Sequence, residues 1–193
     1  MEQATYHEWL NSNYAADNVT CQSCHMPTLQ KGQFYLAAGF ETVPRDKFSL
    51  HELAGANVNM LKLMRDNAAE LQISATPQDF DAVITATENM LRFRSLQVAL
   101  TDLDRSADTA FVALRLTNLA GHKFPSGYPA RRAFVSLVVQ TAEGDTLFHS
   151  GEYDSNYELT GHDPSYEPHY ATIRSADEVQ IYEQVLGDVN NQK

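Results

Sequence analysis

Thr76-Pro77-Gln78-Asp79-Phe80-Asp81-Ala82-Val83-Ile84-Thr85-Ala86-Thr87-Glu88-Asn89-Met90-Leu91-Arg92-Phe93-Arg94-Ser95-Leu96-Gln97-Val98-Ala99-Leu100 changes its hydrophobic period within one run of chain. In the first part Thr76 suits an N-cap, Pro77 the first helical position and Asp79 the positive end of the helix dipole. Phe80, Val83, Ile84, Thr87, Met90 and Leu91 then recur at helical spacing along one face, which predicts a helix from Pro77 to about Phe93. After Arg94 the period falls to two. Leu96 to Leu100, Ala110 to Asn118, Ala133 to Gln140, Thr146 to Ser150 and Val179 to Leu186 read as strands, with Glu143-Gly144-Asp145 as a turn between the third and fourth. Strands joined only by irregular connections predict an antiparallel β-sandwich.

Working back from Thr76, Leu50, Leu53, Leu61, Met64, Ala68 and Leu71 keep a helical period broken around Gly55-Ala56-Asn57, so a helix is expected from about Val58 to Leu71. A shorter one is expected from Thr5 to Tyr14. The predicted class is therefore α+β, with a helical segment over residues 1–94 followed by a β-sandwich domain over 95–193.

The 193 residues are 43% hydrophobic and 20% charged, an ordinary globular balance that fits one domain or two small ones. No run approaches the ~20 consecutive apolar residues of a bilayer-spanning helix. With 25 acidic against 14 basic side chains and a net charge of −11, nucleic acid is excluded as the expected partner. Met1-Glu2-Gln3-Ala4-Thr5-Tyr6 has neither the basic nor the apolar region of a secretory signal. Gly187-Asp188-Val189-Asn190-Asn191-Gln192-Lys193 ends the chain without a closing element. The chain reads as a piece of a longer, exported polypeptide whose signal has been removed.

Both cysteines fall in Cys21-Gln22-Ser23-Cys24, and His25 follows directly. This C-x-x-C-H string reads as a c-type haem attachment site. Two thiols three positions apart can each add to one of the two vinyl groups of a porphyrin, and the next imidazole is then held beneath the iron as proximal ligand. Three other readings stay open. A thioredoxin-type redox pair expects a buried strand before it, where Asp17-Asn18-Val19-Thr20 is polar. A zinc half-site needs further ligands at matching spacing, and a disulfide this short constrains the unfolded chain little. Haem c, one per chain, is the expected cofactor. Its ligation machinery works outside the cytoplasm, so the expected location is periplasmic or extracellular. Residues 1 to about 50 carry little core, and Trp9, Leu10, Phe34, Tyr35, Leu36, Phe40 and Phe48 are expected to pack around the haem.

An iron held by His25 needs a second ligand, water or an open position. His51, at the mouth of the helix expected from Val58, is placed first, with Leu50 and Leu53 drying the ring face and Gly55 turning the backbone away. Its connection to His25 is short, which keeps the loop-closure cost modest. His122 comes second. It sits in Gly121-His122-Lys123-Phe124-Pro125-Ser126-Gly127-Tyr128-Pro129, whose glycines and prolines commit the backbone to one shape. Arg131 and Arg132 close that loop and are candidates for pairing with haem propionates. His7, His149, His162 and His169 lie in polar surroundings and rank below these; Met60, Met64 and Met90 read as core.

The order of these strings resembles the C-terminal portion of multihaem c-type cytochromes. Cys21-Gln22-Ser23-Cys24-His25-Met26-Pro27 comes first, then His51 with Gly55-Ala56-Asn57. Asn118 through Gly121-His122-Lys123-Phe124-Pro125-Ser126-Gly127 to Arg131-Arg132-Ala133 follows, and Glu178-Val179-Gln180-Ile181-Tyr182-Glu183 closes the series. The resemblance spans most of the chain. It implies a periplasmic or extracellular electron carrier with closely stacked bis-histidine haems, an appended β domain, and further haems N-terminal to this chain. At Trp9-Leu10-Asn11-Ser12-Asn13-Tyr14 the chain departs from that group, which often has a His at this place.

The leading expectation is electron transfer to redox partner proteins or to other haem domains of the parent protein. Catalysis at an open iron, as in a peroxidase or a small oxyanion reductase, is the alternative. A non-redox docking module is the third.

Overall fold

The computed structural model describes residues 4–29, 45, 47–128, 131–163, 165 and 167–184. Gly32, Phe34, Tyr35, Leu36, Gly39, Phe40 and Pro44 lie outside the described residues, as do Pro129, Val185, Leu186 and the run from Gly187 to Lys193. The class is α+β. The chain divides into two compact units, one formed by Met1–Trp9 with His122–Lys193, the other by Leu10–Gly121.

In the Leu10–Gly121 unit the helix expected from Thr5 to Tyr14 is two pieces, α1 (Thr5–Leu10, which starts in the other unit) and α2 (Asn13–Ala16). The break falls at Asn11–Ser12, where Ser12 is extended (φ −99°, ψ 163°) and begins the second piece. A further turn, α3 (Cys21–His25), carries the C-x-x-C-H string. Strands β1 (Thr28–Leu29) and β2 (Phe48–Ser49) pair antiparallel, and Leu50 N–H donates to the Pro27 carbonyl at 2.9 Å. Helix α4 (Val58–Asp66) is capped by Asn57, whose side chain accepts from Met60 N–H. It ends short of the expected Leu71, where the Asn67 amide donates to the Leu63 carbonyl at 2.8 Å and gives that last-turn acceptor a side-chain partner.

Helix α5 (Pro77–Met90) starts as expected, with a full capping box between Thr76 and Asp79. Phe80, Ile84, Thr87 and Met90 are its buried face. It passes into a π turn (Leu91–Ser95) closed by Ser95 Oγ donating to the Met90 carbonyl, and then into a long hairpin of β3 (Leu96–Arg105) and β4 (Ala110–Asn118). The register shift between Leu100 and Asp102 explains why β3 outruns its expected end at Leu100. A bulge reverses the in–out alternation, so Leu103 rejoins the face of Val98 and Leu100 out of period. The pairs Val98–Leu116, Leu100–Leu114 and Leu103–Val112 therefore share one face. None of these residues is buried.

The division expected at residue 94 falls inside this unit. Leu119 N–H donates to the Ser95 carbonyl at 3.0 Å, and the Tyr14 hydroxyl donates to the Leu119 carbonyl at 2.8 Å, so the hairpin is tied back to the helical part.

In the other unit the single strand expected from Ala133 to Gln140 is two, because the chain changes partner. Strand β5 (Arg132–Phe134) pairs with β8 (Ile181–Glu183), whereas β6 (Leu137–Gln140) pairs with β7 (Thr146–Ser150). At the changeover Gly151 has φ +80°, and a Cβ there would come within 2.5 Å of the Val135 carbonyl oxygen. Only glycine allows that approach. Among the described residues every sheet is a two-stranded antiparallel ladder, so the strand pairing by itself does not build the expected sandwich. The core of this unit is Leu159, Val179 and Ile181.

Candidate functional site

On a helical turn, positions i, i+3 and i+4 share a face. The helical conformation of α3 therefore sets Cys21, Cys24 and His25 on one side of it, with Cys21 exposed and Cys24 and His25 half-buried. No disulfide joins the two cysteines. The turn is bracketed by Thr20, whose hydroxyl lies 3.4 Å from that of Ser23, and by Met26, whose N–H donates to the Gln22 carbonyl.

His25 Nδ1 hydrogen-bonds the main-chain oxygen of Ala54. A carbonyl oxygen only accepts, so the proton sits on Nδ1 and Nε2 is the nitrogen with ligand character. The acceptor is firmly placed: Ala54 is 1% exposed, and Leu53 before it takes φ +46° to aim the peptide. The left-handed turn therefore falls on Leu53 and not on Gly55, whose Cβ position is open space. Leu53 is turned outward and 66% exposed. Leu50 is half-buried and His51 exposed, just beyond the β1–β2 ladder that holds this stretch beside Pro27.

Seen from the haem expectation, the donor set fits. Two thiols and an imidazole share one face of a turn, and the imidazole is oriented through the nitrogen that iron does not use. Helices α1, α2, α3 and α4 bury none of their own residues, so a porphyrin would be a principal apolar body for this segment. No three His, Cys, Asp or Glu side chains among the described residues are placed to hold a metal ion by themselves. Haem iron, ligated by the ring and one or two axial side chains, needs no such set.

His122, Arg131 and Arg132 belong to the other unit. His122 Nδ1 hydrogen-bonds the Lys123 carbonyl at 2.8 Å, the same relation that His25 has to Ala54. Its loop contains a cis Phe124–Pro125 peptide and is gripped by α1. The two carboxylate oxygens of Glu8 accept one from Lys123 N–H and one from Gly127 N–H, each at 3.1 Å. Thr5 Oγ1 lies 2.9 Å from Ser126 Oγ, and Ala4 N–H donates to the Gly127 carbonyl at 3.3 Å. At Gly127 (φ +33°) a Cβ would come within 2.6 Å of Thr5 Oγ1, so glycine is required for this contact.

Arg132 pairs with two carboxylates of its own unit. Its Nη2 lies 2.9 Å from Glu183 Oε2 and 3.2 Å from Glu167 Oε1, and its Nε donates to Glu183 at 3.0 Å. Arg131 remains exposed, with its N–H donating to the Tyr128 carbonyl. Of the lower-ranked histidines, His149 hydrogen-bonds Ser136, His162 faces Glu158 at 3.6 Å and His169 meets the Tyr182 ring edge-on.

Sequence reading missed Ala54, Glu8, Thr5, Glu167 and Glu183. Ala54 contributes only its backbone, and the others act across long stretches of chain, so none leaves a local signal. Comparison with protein-family models, curated proteins and solved structures yields no match to this chain.

Proposed function

We propose that this chain is the haem-bearing part of a c-type cytochrome, related to the C-terminal portion of multihaem cytochromes and carrying electrons in the periplasm or outside the cell. One observation carries the reading: Cys21, Cys24 and His25 share one face of a helical turn while the His25 ring is oriented by the Ala54 carbonyl. Bound there, haem c supplies a one-electron couple. Cys21 and Cys24 would hold the ring through thioether links, and His25 would ligate through Nε2. Donating its Nδ1–H to the Ala54 carbonyl would make His25 the more basic ligand, which would favour the oxidised state and draw the potential down. His51, in the same unit, is the proposed sixth ligand. The net charge of −11 favours a basic redox partner or a partner reached at a haem edge.

The test is the intact mass and visible spectrum of the full chain matured with haem-ligation machinery. A mass raised by one haem with a low-spin six-coordinate spectrum is expected. A high-spin spectrum would move the reading to catalysis at an open iron, and an unchanged mass would refute haem attachment.

A further inference from the structure

We propose that Glu8 is the positioning residue that fixes His122 as an axial haem ligand, an inference that rests on the cytochrome reading. Attachment at Cys21 and Cys24 leaves His122, its loop and the contacts made by α1 without a role. The geometry at His122 repeats that at His25. Nδ1 hydrogen-bonds a main-chain carbonyl, here that of Lys123, so its proton sits on Nδ1 and Nε2 is the nitrogen with ligand character. That carbonyl belongs to the residue whose own N–H is held by Glu8. The same carboxylate takes Gly127 N–H, which closes the other end of the loop. One side chain therefore spans Lys123 to Gly127 and holds Lys123 by its N–H, one peptide before the carbonyl that the His122 ring bonds. Thr5 and Ala4 add a hydroxyl contact to Ser126 and an N–H bond to Gly127, which hold α1 against the loop. Such orienting partners of ligating histidines typically change metal affinity by about 10–100-fold when removed.

The attached haem of this chain already has His25 and, on the reading above, His51. His122 is therefore assigned to a second haem, presented by a neighbouring haem segment. The probe is a ferric haem peptide with one open axial position, titrated into the full, haem-matured chain and followed by its change from high to low spin. Side-chain 15N shifts report the His122 tautomer on the same chain, and on unmatured chain without any haem.

We expect an Nδ1–H tautomer at His122 and low-spin conversion of the probe that is lost in His122→Ala. Glu8→Ala should release the tautomer and weaken the His122-dependent binding by about 10–100-fold. Glu8→Gln keeps one acceptor oxygen and should fall between; it serves as the test if Glu8→Ala does not fold. Unchanged tautomer and affinity in both Glu8 variants would overturn the positioning role. Equal probe binding by the wild type and His122→Ala would overturn ligation by His122. Failure of the cytochrome reading itself shows separately, as absence of covalent haem in the intact mass.

Discussion

The Nδ1 atom of His25 hydrogen-bonds the main-chain oxygen of Ala54, 29 residues further along the chain. Nothing in the side chain of Ala54 provides this contact, yet the residue is 1% exposed, so a larger side chain there has no room. Ala54→Leu should destabilise the chain by about 1–3 kcal/mol through overpacking, read from the denaturant midpoint. In matured protein it should also raise the midpoint potential, because a displaced carbonyl leaves His25 less basic. An unchanged potential would remove Ala54 from the tuning of the ligand.

The two candidate sixth ligands separate by spin state. His51→Ala should turn the haem-matured chain high-spin, whereas His122→Ala should leave it low-spin. His51 follows directly on the β1–β2 ladder that ties its stretch to Pro27, two residues after His25. The opposite pattern of spectra would assign the attached iron to the His122 loop.

Glu167 is 2% exposed and meets Arg132, which keeps 35% of its side-chain surface in water. Removing one partner of a fully buried pair costs about 3–5 kcal/mol, because it strands a buried charge. Here the partial exposure of Arg132 lowers the expected loss for Arg132→Ala to about 2 kcal/mol. Arg131→Ala, at an exposed position, should stay within about 0.5 kcal/mol. Equal losses at the two positions in thermal or denaturant melts would contradict the clasp.

The Asp79 carboxyl is held below the usual carboxylate range by its hydrogen bond from the Thr76 hydroxyl, supported by the Thr76 main-chain N–H. Its folded pKa is depressed, so its contribution is present above the ordinary Asp value and is lost as pH falls through the lowered one. Acid melts of wild type should show this loss, and Asp79→Asn should flatten that part of the profile. Thr76→Ala, which removes the N-cap hydroxyl, should cost about 1 kcal/mol at neutral pH. A Thr76→Ala chain as stable as wild type would show that the box contributes nothing.

Local signals carried β4, β7 and the start of α5 to the residue. Capping chemistry, Pro at the first helical turn and strict alternation act between neighbours, and Thr76, Pro77, Asp79 and Ala110 to Asn118 needed no distant partner. The C-x-x-C-H string stands out in the sequence for the same reason, since it lies within five consecutive residues. Tertiary structure decided the rest. The strand expected from Ala133 to Gln140 divides because β8 pairs with its first residues and β7 with its last, and Gly151 allows the close approach at Val135 between them. Leu103 falls out of period because a bulge is a property of a strand pair. Ala54 and Glu8 act on their histidines through backbone groups brought together only by folding: a carbonyl that orients His25, and two N–H groups that hold the loop of His122. Every residue carries a carbonyl and all but proline an N–H, so the choice of which ones meet is made by the fold alone.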